Sequence, residues 1–250
     1  MSDASIAIIG GTGLDALAGL ALTDSRRIST PFGEPASPLA LGTFAGRPVC
    51  FLPRHGSSHA LAPHRINYRA NIWALRCAGV RSVIACAAVG GIAPALGPGT
   101  IVVPDNLIDY TWGRESTFHE PPDVAHVDFT NPYSARLRDA LLAGGADAGI
   151  PIVAGGVYGA TQGPRLETAA EIDRMDRDGC TIVGMTGMPE AVLAREAGLQ
   201  YATCALVVNA AAGRAEGEIT MEDIRAALES GMTQVRTVLG HALKRLTVPE

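Results

Sequence analysis

Short apolar runs alternate with segments of helical pattern along the whole chain, and no other feature restricts the fold as strongly. Ile6 to Ile9, Arg47 to Leu52, Ser82 to Val89, Thr100 to Val103, Ile152 to Tyr158, Thr181 to Met185 and Tyr201 to Val208 read as strands. Asn67 to Ala78, Ser134 to Ala148, Ala169 to Asp176, Pro189 to Ala197 and Met221 to Leu246 read as helices. Strand–helix alternation predicts a three-layer α/β fold with a largely parallel sheet. No linker, repeat or low-complexity stretch divides the 250 residues, so residues 1–250 are expected to form one domain. A polar loop from Thr111 to Asn131 carries two prolines, and loops of that length often cover a site.

Charge and cysteine usage exclude several classes. The net charge is -5, which disfavours a nucleic-acid surface, so an anionic ligand must be held by local groups. The cysteines (Cys50, Cys77, Cys86, Cys180 and Cys204) form no CxxC pair and mostly sit in apolar runs, as in a reducing cytoplasm. The segment before Ile6 has no basic n-region, and no apolar run is long enough to span a membrane; neither a signal peptide nor a membrane contact is expected.

In open α/β sheets ligands lie at the carboxyl ends of strands, so the residues after each strand carry the chemistry. Gly10-Gly11-Thr12-Gly13 follows the first strand; its backbone N–H groups and the Thr12 hydroxyl can meet an anion, although such a turn is often purely structural. It has neither the GxGxxG nor the GxxxxGK[ST] spacing, so neither a dinucleotide site nor a P-loop is supported. Arg54, after the second strand, offers a guanidinium fork suited to phosphate. Ala88 lies in a run of small residues where a backbone N–H can approach an anion, and Thr186 precedes a helix N-terminus. Thr12, Arg54, Ala88 and Thr186 could all contact one phosphate. Met185 could pack on the apolar face of a sugar. His55, His59 and His64 lack a carboxylate or cysteine at metal-ligand spacing, so no metal is expected, and His59 and His64 read as members of a solvated loop.

Two distant residues, Glu167 and Asn209, supply an acceptor and an amide. If the chain handles purines, these are the groups needed to hold one with N1–H and a 6-oxo group. An ionised Glu167 accepts from N1–H of a 6-oxopurine but faces a lone pair at N1 of adenine. Asn209 can pair with O6 or N7. The residues after it, Ala210-Ala211-Ala212, include no acid.

Ile8-Ile9-Gly10-Gly11-Thr12-Gly13-Leu14, Arg54-His55-Gly56, Asn67 to Leu75 and Gly184-Met185-Thr186 together resemble the trimeric nucleoside phosphorylases, the family that includes purine nucleoside and methylthioadenosine phosphorylases. Thr161 to Thr168 and Leu206-Val207-Val208-Asn209 are most similar to its bacterial methylthioinosine phosphorylase subgroup. The resemblance covers nearly the whole chain. It implies an α/β/α fold with a mixed central sheet and reversible phosphorolysis of a purine nucleoside, with inorganic phosphate as co-substrate and no other cofactor. It implies a phosphate site of Thr12, Arg54, His55, the Ala88 backbone and Thr186, and a base site of Leu166, Glu167 and Asn209. Among these, Asn209, Glu167 and His55 are the implied catalytic groups. It implies a ribose contact at Met185 and a 5′ pocket lined by Met221 and Ile224, three apart on one helical face and suited to a methylthio group. It implies a homotrimer, with a hexamer as the alternative, in which His126 reaches the neighbouring subunit's site. Ala87 departs from the family's asparagine or threonine and is left out of the site.

Overall fold

A computed structural model describes residues 4–246; the single-domain expectation for 1–250 extends over flanking residues that lie outside them. The strands are β1 (Ile6–Gly10), β2 (Ala21–Arg26), β3 (Leu39–Phe44), β4 (Arg47–Pro53), β5 (Ser82–Gly91), β6 (Ile101–Val103), β7 (Asn106–Asp109), β8 (Ile152–Ala154), β9 (Val157–Ala160), β10 (Ile182–Gly184) and β11 (Gln200–Ala210). The helices are α1 (Tyr68–Cys77), α2 (Ala135–Ala148), α3 (Ala169–Arg177), α4 (Gly187–Glu196) and α5 (Met221–Arg245). Each predicted helix is present, and local chemistry sets its start. Asn67, Ser134, Thr168 and Thr220 each accept from a backbone N–H of the first turn of α1, α2, α3 and α5, respectively, and Thr168 forms a full capping box with Glu171. None of the described helices is long and apolar enough to cross a membrane.

The sheet is mixed, as the resemblance implies, and parallel pairing predominates in it. β1–β4, β1–β5, β5–β11, β6–β8, β7–β9 and β9–β10 pair in parallel, whereas β2–β3, β3–β4, β5–β10 and β6–β11 are antiparallel. Three strands fall outside the sequence reading. β2 is exposed or nearly so throughout, β7 is polar at both ends, and β3 has a glycine at Gly42. The single strand expected from Ile152 to Tyr158 is two, β8 and β9. Gly155 and Gly156 between them have φ of 92° and 106°, a conformation that ends one strand and turns the chain to a different neighbour.

β5 is the branch point. β1 pairs along its first half and β10 along its last two residues, while β11 follows nearly its whole length on the other edge. Side chains alternate across the sheet. Ala7 and Ile9 therefore pack with Ile72 and Leu75 of α1 and Leu193 of α4. Ile6 and Ile8 pack on the other side with Leu137 and Leu141 of α2 and Val235 and Leu239 of α5. A smaller core lies under α3 around Ile172, Met175 and Val183. Helices on both faces of a mixed sheet give the three-layer α/β/α architecture.

Candidate active site

A cavity of about 460 Å3 opens at the carboxyl ends of β1, β4, β5, β10 and β11. All the sequence-derived candidates except His126 line it: Thr12, Arg54, His55, Ala88, Leu166, Glu167, Met185, Thr186, Asn209, Met221 and Ile224. His126 is exposed on the loop between β7 and α2 and does not reach the cavity of its own chain.

One end is built from glycine turns and a buried cation. The Gly11 turn cannot carry a side chain, because a Cβ there would lie 2.6 Å from the Cys86 carbonyl oxygen and 2.9 Å from Arg54 Nη1. Arg54 is only 1% exposed. Its fork, read from sequence as a phosphate clamp, is turned on a carboxylate instead: Nε and Nη2 donate to Glu190 at 2.6 and 2.8 Å, and Nη1 donates to the Cys86 carbonyl at 2.9 Å. Of its five N–H donors, two remain for the cavity. Burial works against the guanidinium charge, but the pull of Glu190 outweighs it and holds the Arg54 pKa above its ordinary value. Thr186 caps α4 without a side-chain bond to its helix, so its hydroxyl is not spent there. Ala87 presents only a methyl to the cavity.

His55 is buried, and its Nδ1 lies 2.8 Å from the Leu61 carbonyl oxygen. Burial, then the charge of Arg54, push its pKa down to about 4, so the ring is neutral near pH 7. A neutral ring facing a carbonyl must carry its proton on Nδ1, which leaves Nε2 as an acceptor. His59 is exposed in its loop, as expected, and also lines the cavity. Its ring stacks on His55 with centroids 4.5 Å apart, and its Nδ1 meets Asp15 Oδ1 at 2.5 Å. His64 is exposed in a short turn. Among the described residues no group of three His, Cys, Asp or Glu side chains could hold a metal ion.

The other end carries Glu167 and Asn209. Thr161, nearly buried, donates its hydroxyl to Glu167 Oε1 at 2.6 Å, which leaves Oε2 for an incoming donor. Asn209 follows a β-bulge: the register of β11 against β5 slips between Val207 and Asn209. A bulge re-aims the side chains after it, and here it brings Asn209 to the cavity wall. Asn209 Nδ2 donates to the neighbouring Ala210 carbonyl at 2.7 Å. A carboxylate and an amide thus share one cavity with the glycine turn and Arg54. Its rim is apolar: Leu166 and Met221 are 42% and 58% exposed, and Ile219 and Ile224 lie beside them.

Several residues that shape the site gave no sequence signal. Glu190 and Thr161 sit where apolar or turn residues would pass equally well. Arg114, in the polar loop, sends its guanidinium to the carbonyls of Thr161, Gln162, Met185 and Met188 and to the Tyr68 hydroxyl, and so pins the ends of β9 and β10 on which Glu167 and Met185 depend. Only the length of that loop could have pointed to it.

A family model described as the phosphorylase superfamily matches residues 5–244. A Pseudomonas syringae pv. tomato protein named "Probable S-methyl-5'-thioinosine phosphorylase" is 54% identical over 239 residues, 95% of this chain and 97% of that one. A Moorella thermoacetica protein named "Probable 6-oxopurine nucleoside phosphorylase" is 42% identical over 95% of this chain and 92% of its own. Among solved structures, a methylthioadenosine phosphorylase from Schistosoma mansoni in complex with adenine superposes with a TM-score of 0.92 at 33% identity, covering 96% of this chain and 91% of that one.

Proposed function

The chain belongs to the phosphorylase superfamily, and we propose that it cleaves S-methyl-5'-thioinosine with inorganic phosphate, reversibly, to hypoxanthine and 5-methylthioribose 1-phosphate. The observation that carries this reading is the shared cavity of Glu167 and Asn209, with a rim of Leu166, Met221 and Ile224 and no acid at residues 210 to 212. Relatives that are 50–54% identical and named for the same activity support it.

Phosphate sits at the end formed by Thr12, the two remaining Arg54 N–H groups, His55, the Ala88 backbone and Thr186. An oxygen of phosphate forms its bond to C1′ on the face opposite the purine as the C1′–N9 bond breaks, so the sugar inverts. The electron pair of the broken bond goes to the purine. The Asn209 amide meets the charge that develops there, and Glu167 accepts from N1–H. The work of the protein is positioning and electrostatic stabilisation of an oxocarbenium-like transition state. Met185 packs on the ribose, Leu166 on the purine, and Met221 and Ile224 on the methylthio group. The scheme uses phosphate as co-substrate and calls on no metal or organic cofactor. Residues 1–250 act as one catalytic unit in a cytoplasmic homotrimer, with a hexamer as the alternative, and His126 serves the neighbouring subunit's site. No nucleic acid or membrane takes part.

A second reading, cleavage of S-methyl-5'-thioadenosine or of 6-oxopurine nucleosides in general, is favoured by the Schistosoma and Moorella proteins. A nucleoside-binding protein without turnover is the reading from another class, and the methyl of Ala87 in the cavity is its sole support. One experiment separates all three: release of base from methylthioinosine, methylthioadenosine and inosine, each with and without phosphate. Phosphate-dependent release of hypoxanthine, chiefly from methylthioinosine, is expected. Preference for methylthioadenosine would overturn the roles of Glu167 and Asn209, preference for inosine would overturn that of Met221, and binding without turnover would reject catalysis.

A further inference from the structure

Arg54 and Glu190 are the most deeply buried charged pair near the cavity, at 1% and 0% exposure. Glu190 Oε1 also accepts from the Tyr201 hydroxyl at 2.8 Å. The order of support runs from Tyr201 on β11, through Glu190 on α4, to Arg54 at the end of β4. Glu190 takes the Nε/Nη2 edge of the guanidinium and the Cys86 carbonyl takes one hydrogen of Nη1. What remains is one hydrogen on Nη1 and one on Nη2. Nη1 lies against the Gly11 turn, beside Thr12.

We infer that Glu190 is a positioning residue for the phosphate site, fixing Arg54 so that its two spare N–H groups face the incoming anion. This inference rests on the phosphorolysis reading above. A bidentate carboxylate leaves a guanidinium no rotational freedom. The pair also acts with the opposite sign: Glu190 cancels the charge that attracts phosphate. If orientation dominates, removing the carboxylate weakens the use of phosphate; if cancellation dominates, removal strengthens it.

The test is steady-state kinetics with methylthioinosine and phosphate varied independently, in wild type, Glu190→Gln and Tyr201→Phe. In Glu190→Gln the KM for phosphate rises roughly tenfold or more, while the KM for nucleoside stays within about twofold. Tyr201→Phe removes one hydrogen bond to Glu190 but no charge, keeps the fold if the glutamine variant loses it, and raises the phosphate KM alone by roughly two- to fivefold. A purely structural role would move both KM values and kcat together. An unchanged or lowered phosphate KM in both variants, with an active wild type, overturns the inference and leaves the functional reading standing. A wild type with no phosphate-dependent turnover of any of the three nucleosides overturns both.

Discussion

Thr161→Val isolates the support of the base-binding carboxylate. Valine has nearly the shape of threonine, so no cavity forms at this nearly buried position. The Gly184 carbonyl, which also faces the Thr161 hydroxyl at 3.3 Å, keeps its 2.8 Å bond from the Thr161 backbone N–H. What is lost is one hydrogen bond of 2.6 Å to a carboxylate. Hydrogen bonds to charged groups contribute about 1.5–3 kcal/mol, but this one is already made in the free enzyme, so only its orienting of Glu167 reaches the transition state: kcat/KM for methylthioinosine should fall by roughly tenfold, with about 150-fold as the ceiling. Substrates that do not present N1–H to Glu167 gain nothing from that hydroxyl, so methylthioadenosine should lose less than about threefold. The assay is initial-rate phosphorolysis of both nucleosides by the variant and by Thr161→Ser, which retains the hydroxyl and should recover most of the loss. Equal losses on both substrates, or a serine variant as poor as valine, would refute the claim that Thr161 acts through Glu167.

Asn209→Asp should shift preference from 6-oxo toward 6-aminopurine nucleosides, read as the ratio of the two kcat/KM values; an unchanged ratio would reject base reading by this residue. Met221→His should weaken methylthioinosine relative to inosine, and equal loss on both would remove Met221 from the 5′ pocket. Gly11→Ala places a methyl where the Cys86 carbonyl and Arg54 Nη1 already sit, so phosphate KM should rise by roughly tenfold or more, measured with nucleoside saturating. His55 titrates near 6.5 when unfolded and is pushed down to about 4 when folded, so the unfolded chain binds the proton first. Stability present above about pH 6.5 is lost as pH falls toward 4, by about 2 kcal/mol at pH 5. Urea unfolding at pH 7 and pH 5, at one protein concentration, should show that loss in wild type and not in His55→Gln.

The sheet and helices were legible where burial makes a strand apolar or a polar residue caps a helix, as at Ile6 to Ile9 and Asn67. They were not legible at β2 and β7, whose exposed or half-exposed residues need no apolar pattern, or at Gly155-Gly156, where two strands look like one. Site residues were readable because they lie at the carboxyl ends of strands: Thr12, Arg54 and Thr186 follow β1, β4 and β10, and Asn209 is the penultimate residue of β11. Orientation was not readable. The fork of Arg54 looked free because its partner, Glu190, is 136 residues away in sequence. His59 is solvated, as it read, but its contacts with Asp15 and His55 at the cavity could not be read from the sequence. The bulge that aims Asn209 exists only in the pairing of β11 with β5.

The branch at β5 has a consequence for the birth of the chain. β1 and β11 flank the same residues, Ser82 to Ala85, from opposite edges. During synthesis β1 can pair as soon as β5 leaves the ribosome, but β11 emerges more than a hundred residues later. Until then one edge of a ten-residue, almost wholly buried strand stands open. Unpaired apolar edges template association with other chains, and pairing across such sequence distances is slow. Nascent chains stalled between β5 and β11 should therefore be the ones that need chaperones, and truncations before Gln200 should aggregate rather than fold.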